Sequence, residues 1–404
     1  MRGMTNTLTI GERVAWYRRR RGVSQEILAS IVGRTVDWLS KVENNRIELD
    51  RLSVIKALAD ALDVSLGDLL AEPSLADWTP DGGHRTVPAL RDALLDYRQI
   101  TPFGGHASPT DAPSLAALGQ WVSDLWDAYQ ASRFEYVTAR LPGLLQRAQA
   151  ATEAYERDEL TQARRLLGLT YQLAAVQLTK LGEAELAWIA ADRGLNAARV
   201  TGDPVVTGSL YRSVTHALLS AGRYGEAVRL TEHAADYLAA HLSRPSPELL
   251  SVHGTLFLAG SMAAARDNNR ATTQTFLTAA AESAKRLGTD ANHVWTAFGP
   301  IHRVATAAEL GDVQVAIDLG PHIDTRPLPM ERRVRHALEV ARAYSKRNRL
   351  DEAQATLLDA EQMAPEQVRY HFLSRQLVLN WIRQQRGKPS TVLVDLARRL
   401  NVLL

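Results

Sequence analysis

Gly22-Val23-Ser24-Gln25-Glu26, Val32-Gly33-Arg34-Thr35 and Leu39-Ser40-Lys41-Val42-Glu43 punctuate residues 10–70 into five short helices. Ile10, Val14 and Tyr17 share one face of the first helix, at i, i+4 and i+7. Gly22 closes that helix as a left-handed C-terminal residue. Ser24 caps the second helix, with Gln25 and Glu26 in its first turn and Leu28 and Ile31 predicted to point inward. Gly33 makes the next turn, and Thr35 caps a third helix in which Leu39 and Val42 face the core. Val36, Asp37, Ser40 and Lys41 of that helix face away. Trp38 sits at the border, where packing and ligand contact both stay open. Leu52, Ile55, Leu58, Ala59 and Leu62 make a fourth amphipathic helix, and Ser65 caps a fifth carrying Leu66, Leu69 and Leu70.

Two helices joined by a tight glycine turn, the second with polar residues outward, fit the helix-turn-helix geometry that lays the second helix in the major groove of double-stranded DNA. Charge points the same way. Between Arg13 and Arg46 there are eight basic side chains (Arg13, Arg18, Arg19, Arg20, Arg21, Arg34, Lys41, Arg46) against Glu26, Asp37 and Glu43, whereas the whole chain carries a net charge of only +2. A local basic patch of this kind binds phosphates in a strongly salt-dependent way.

This stretch resembles the Xre/Cro-like repressor family of helix-turn-helix proteins over all five helices. The resemblance implies that Gln25 meets the DNA backbone and that Thr35, Val36, Asp37 and Lys41 occupy recognition-helix positions. It puts Arg51 where some members place a minor-groove arginine, and it makes Arg18 and Glu43 an internal ion pair. Arg34, Trp38 and Arg46 complete the candidate DNA-binding set. Family members often carry Gln or Arg at the outward recognition positions, whereas this chain has Val36, Asp37 and Trp38. Valine suits a thymine methyl, and aspartate accepts from cytosine N4.

Residues 72–113 hold six of the 16 prolines and the pairs Gly82-Gly83 and Gly104-Gly105, which marks a linker. One helix is expected inside it, over residues 89–100. From Ser114 onward a pattern recurs: a long apolar helix, a short polar turn, and a second helix with a small or slim residue at a crossing point. The turns are Ala131-Ser132-Arg133-Phe134, Leu181-Gly182-Glu183-Ala184, Ala221-Gly222-Arg223-Tyr224, Arg266-Asp267-Asn268-Asn269, Leu310-Gly311-Asp312-Val313 and Arg347-Asn348-Arg349-Leu350. The crossing residues are Val137, Ala187, Ala227, Thr272, Ala316 and Ala353, spaced by 50, 40, 45, 44 and 37 residues. A last helix pair over residues 368–403 is expected to cap the array.

The segments 222–227 and 348–353 resemble tetratricopeptide hairpins, and Leu167-Gly168-Leu169-Thr170-Tyr171 resembles the small-residue notch of their first helix. The spacings exceed the usual ~34 residues, which implies elongated repeats. Stacked hairpins of this kind present an inner wall built from their first helices. Arg165, Gln172, Arg212, His253, Trp295, His302 and Arg335 are the candidate wall residues for an effector. An Xre-like head with such a body is similar to the peptide-responsive regulators of Gram-positive bacteria, and more so to an actinobacterial group of the same build. In many members of that group an Asn-containing insert follows Phe-Gly-Pro; here Ile301-His302-Arg303-Val304 follows Pro300 at once.

The expected architecture is therefore all-α. A five-helix Xre-type DNA-binding domain (1–71) and a linker (72–113) lead into a tetratricopeptide-like α-solenoid (114–404). The expected function is sequence-specific transcriptional regulation in the cytoplasm by a homodimer that responds to a peptide or small effector. A scaffold whose array docks a protein partner is the alternative. Cysteine is absent, which excludes disulfides and thiolate chemistry. Met1–Thr7 has no apolar core, so no signal peptide is expected, and no run of residues is long and apolar enough to predict a membrane span. There is no GxxxxGK[ST], GxGxxG, HExxH or GxSxG motif, and the 11 histidines are scattered. No enzyme activity, cofactor or metal is expected.

Overall fold

The computed structural model describes residues 8–70, 83–95, 112–288, 293–385 and 388–402, with backbone alone for 83–87 and 293–298. Every regular element among them is helical. Contacts divide the chain into two compact units. The first joins Met1–Asp77 to Ala265–Arg270 and Pro300–Leu404; the second joins Trp78–Ala264 to Ala271–Gly299. The N-terminal helices thus share a compact unit with the last hairpins, a partition that differs from cuts at 71 and 113.

In the first unit the head is built from α1 (Ile10–Arg20), α2 (Gln25–Ile31), α3 (Val36–Glu43), α4 (Leu52–Ala61) and α5 (Leu66–Leu70). Thr9 and Glu12 form a reciprocal capping box that starts α1. Ser24 accepts from the Ile27 N–H and Thr35 from the Trp38 N–H, as their sequence positions predict. Gly22 and Gly33 take φ of +67° and +63°, closing α1 and α2. Val14, Leu28, Leu39, Val42, Ile55 and Leu58 are fully buried. Ile31 departs from expectation, being 62% exposed. The buried stripe of α2 runs through Leu28 and Ala29 toward α3 and α4, and Ile27 and Ile31 lie on its far side.

The second unit begins with α6 (Gly83–Leu94), which packs on α8 and α10 and covers part of the helix expected over 89–100; residues 96–100 lie outside the described residues. Helices then follow in pairs: α7 (Leu115–Gln130) with α8 (Phe134–Ala154), α9 (Arg157–Lys180) with α10 (Ala184–Arg199), α11 (Pro204–Ser220) with α12 (Tyr224–Ala239), and α13 (Pro247–Arg266) with α14 (Arg270–Leu287). α15 (His293–Leu310) pairs with α16 (Val313–Leu319), and α17 (Met330–Lys346) with α18 (Leu350–Met363). The chain closes with α19 (Pro365–Tyr370), α20 (Phe372–Gln384) and α21 (Thr391–Arg399).

All six turns fall where the sequence puts them, for one physical reason. One residue of each turn, the second (Ser132, Gly182, Gly222, Gly311 or Asn348) or in one case the third (Asn268), adopts positive φ. In five of them the next N–H reaches back to a carbonyl five residues earlier, as from Arg133 to Ala128 (3.0 Å) and Glu183 to Leu178 (2.9 Å). That is the Schellman ending, which glycine and asparagine tolerate best. The crossing residues Val137, Ala187, Ala227, Ala316 and Ala353 are fully buried. Thr272 is only half-buried; its neighbour Thr273 takes the inward position at 2% exposure. At the Gly168 notch an added Cβ would make ordinary contact, 3.5 Å from the Gly194 carbonyl oxygen on α10; the tight position is Gly194 itself, where a Cβ would fall 2.6 Å from Leu210 Cδ2 and 3.0 Å from Tyr171 Cβ.

In the first unit His336 of α17 is buried, and its Nε2 donates to the Gly320 carbonyl (2.9 Å), which leaves Nδ1 without a hydrogen-bond partner. Burial holds its pKa below the usual 6.5, against the opposing pull of the Gly320 bond and Glu339. In the second unit burial, helped by Arg286, does the same to His253. Below about pH 6.5 the unfolded chain binds protons that the folded chain refuses, so stability falls as pH falls. Urea unfolding should show a lower midpoint at about pH 5.5 than at about pH 7.5, and His336→Gln should narrow that difference.

Candidate nucleic-acid interface

The outward side of α3 is set by what the inward side buries. Leu39 and Val42 are fully enclosed, so Val36, Asp37 and Lys41 face away from the head's core. Glu43 at the end of α3 anchors the helix to α1. Arg18 grips both its carboxylate oxygens, with Nη2 2.7 Å from Oε2, and also donates to the Val23 carbonyl (2.9 Å). The hydrogen bond to Glu43 raises the Arg18 pKa, against the effect of burial. Gln25 joins this network, its Nε2 donating to Glu43 Oε2 (2.7 Å). The side chain thereby helps hold α2 to α3.

The other candidates divide clearly. Thr35 is exposed, and its hydroxyl caps α3. Arg34 is exposed and lies over the half-buried Trp38 ring, 5.4 Å from its centroid. Asp37 and Lys41 pair at i, i+4 with 2.6 Å between Oδ2 and Nζ. Arg46 is exposed just beyond α3. The basic excess shrinks on folding. Arg13 is wholly buried, donating to the Leu69 and Leu8 carbonyls, and its pKa is lowered to about 9 by burial and by Arg375. Arg21 bonds Asp63. Arg34, Lys41 and Arg46 remain on the surface in or beside α3, and Arg19 is exposed on α1.

Arg51 is engaged within the chain. Its Nε donates to the Glu309 carbonyl (2.8 Å) and its Nη2 to Asn268 Oδ1 (2.8 Å). It belongs to a docking contact between the head and the hairpins of the same unit. Lys346 pairs with the Asp50 carboxylate, and Arg342 donates to the Asp50 carbonyl (3.1 Å). The Leu52 N–H, at the start of α4, points to Glu309 Oε2 (3.4 Å). Asn380 donates to Glu48 (2.7 Å), the Ile10 N–H to Gln376 Oε1 (3.0 Å), and Arg383 lies 3.3 Å from Glu12. Beneath this contact Glu309 and Glu339 face Arg266, Arg335 and Arg342. Burial alone would raise the Glu339 pKa, but Arg342, Arg335 and Arg266 outweigh it and keep the carboxylate ionised. Sequence alone showed no sign of this contact, since the head residues lie more than 200 residues from their partners.

The expected effector residues fall in both units. In the second, Arg165 pairs with Asp203 (2.9 Å), the cap of α11, and buried Gln172 donates to the Ser209 carbonyl (3.1 Å). Both brace α9 against α11. Arg212 is half-buried on α11. His253 Nδ1 lies 2.9 Å from Ser283 Oγ, and its ring sits edge-on to Phe257. In the first unit His302 is half-buried, and Arg335 is held by Glu339 (2.6 Å) and His371. The Trp295 side chain lies outside the described residues. No described His, Asp or Glu cluster is arranged to hold a metal ion, and no described helix is long and apolar enough to cross a membrane.

A family model described as a helix-turn-helix domain matches residues 9–72. The N-terminal part of the chain is thus a helix-turn-helix DNA-binding domain, by sequence family and by the arrangement of α2 and α3. No curated protein matches the chain. Among solved structures, PlcR of Bacillus thuringiensis, in a complex with the peptide PapR7 and DNA, aligns with 69% of this chain and 95% of its own at 11% identity and a TM-score of 0.27. A likeness that slight assigns this chain no ligand.

Proposed function

We propose that this chain is a sequence-specific, DNA-binding transcriptional regulator of the cytoplasm that acts as a homodimer and takes a peptide or small effector on its helical hairpins. The observation that carries the reading is the recognition helix α3, anchored by Leu39, Val42 and Glu43, with Arg34, Val36, Asp37, Lys41 and Arg46 turned outward. One helix-turn-helix reads few bases, and two-fold pairing doubles the contacts.

The docking contact narrows where an effector acts. The parts of α15, α17 and α20 that carry Glu309, Arg342, Lys346, Gln376, Asn380 and Arg383 already face the head. An effector therefore either competes with the head there or binds the hairpins of the second unit, where Arg212 and His253 remain candidates.

The test is recovery and sequencing of genomic fragments retained by the full-length protein beside its Arg34→Ala/Lys41→Ala variant. Point variants are the right control, because removing residues 1–71 would strip Glu309 and Arg342 of their partners. A recurrent palindrome kept by the wild type alone supports the proposal. The double variant should bind that site about 10–100-fold more weakly and show a salt slope shallower by about 2. Equal affinity of the two proteins would overturn the assignment of α3. A protein co-purifying at fixed stoichiometry, with no site enriched, would favour the scaffold.

A further inference from the structure

The reading face of α3 carries an ion pair where a string of cations is the simpler way to meet DNA. Asp37 and Lys41 stand one turn apart, their side chains 73% and 45% exposed, with 2.6 Å between carboxylate and ammonium. The pair is neutral as a unit, so Lys41 offsets within the reading face the repulsion that a lone carboxylate would meet from phosphate. Asp37 lies in the first turn of α3. Its Oδ2 takes the Lys41 bond, which leaves Oδ1 as an outward acceptor beside the outward N–H groups of Lys41.

An acceptor and a donor less than 3 Å apart have a natural complement. In the major groove the cytosine N4 amine, a donor, lies beside the guanine O6 acceptor of the same base pair, and guanine adds N7 as a second acceptor. The A·T edge offers adenine N6 beside thymine O4, but only one acceptor there for an ammonium, with the thymine methyl crowding it. We infer that the Asp37–Lys41 pair is a single reading unit for one C·G base pair in each half-site, Asp37 accepting from cytosine N4 and Lys41 donating to guanine O6 and N7. The inference rests on the DNA-reading role proposed for α3 and adds the base that it reads.

The experiment is selection from random duplexes with the full-length wild type, Asp37→Ala and Asp37→Asn, followed by titration of the selected site and its single-base variants. The wild type should select C·G at one position of each half-site. Asp37→Ala should lose that preference, with about tenfold weaker binding to the selected site and little change on the variant altered at that position. Asp37→Asn, which replaces a pure acceptor with a donor and an acceptor, should shift the preference toward adenine. If Asp37→Ala keeps every base preference and binds all duplexes more tightly, the carboxylate only repels and the inference is overturned. If the wild type enriches no sequence, the regulator reading fails and takes this inference with it.

Discussion

Glu309→Ala is expected to destabilise the first unit by roughly 3–5 kcal/mol. Glu309 is 1% exposed. Its carboxylate lies 3.5 Å from Arg342, 3.7 Å from Arg266 and 3.4 Å from the Leu52 N–H. Removing it leaves Arg342, itself 4% exposed, with Glu339 as its remaining anionic partner and leaves the start of α4 without its acceptor. A second change separates the lost attraction from the orphaned charge. Arg342→Met in the Glu309→Ala background should recover part of the loss, because a buried ion pair costs more when half of it remains than when both halves are apolar. Asp60→Ala, which breaks the exposed Lys56–Asp60 pair, should change stability by less than about 1 kcal/mol. Denaturant titration gives the sizes. Hydrogen exchange of the α1 and α4 amides shows whether the head loosens from the hairpins first. A Glu309→Ala chain as stable as the wild type would mean that the head is not held by this network.

What was legible in the sequence is what neighbours in the chain decide. Turn positions came out residue by residue because left-handed φ selects Gly, Asn and Ser at Gly182, Gly222, Gly311, Asn268, Asn348 and Ser132. The caps at Ser24 and Thr35 followed from the same local chemistry. Errors gathered where a distant partner decides. Arg13 counts as a surface charge in the sequence, but the Leu69 carbonyl, 56 residues on, draws it inward. Arg51 matches a DNA-contact position, but Glu309, 258 residues on, holds it. The Gln25 bond to Glu43 was not foreseen because it shares Oε2 with Arg18, a three-way contact that spacing alone does not show. Ile31 failed for a different reason. A helix of seven residues gives too few turns to fix which flank of its apolar face is covered.

Gly11→Ala is expected to damage the head most among its small substitutions, although nothing in the sequence singles Gly11 out. Gly11 is buried in the first turn of α1. An added Cβ would fall far inside van der Waals contact distance of the Val42 carbonyl oxygen and 3.1 Å from its carbon. Both are backbone atoms, so no rotamer change relieves the clash. That carbonyl already accepts from the Asn45 N–H (3.0 Å), and Asn45 Nδ2 donates back to Glu12 on α1 (3.1 Å). α1 and α3 must therefore move apart, pulling on the Arg18–Glu43 pair that sets the orientation of the reading face. The cost should reach or exceed the upper end of the roughly 1–3 kcal/mol typical of overpacking, and affinity for DNA should fall with it. Two other glycines provide the scale. Gly22→Ala meets no atom within 4 Å but is strained by its φ of +67°, so about 1 kcal/mol is expected. Gly143→Ala, inside α8 with open space around it, should stabilise by about 0.5–1 kcal/mol. The order Gly11, Gly22, Gly143 in denaturant midpoints, with loss of DNA binding confined to Gly11→Ala, would show that α1 and α3 meet backbone to backbone. A Gly11→Ala chain that folds and binds DNA as the wild type does would mean that the two helices stand further apart, and that the reading face is positioned by the Arg18–Glu43 pair alone.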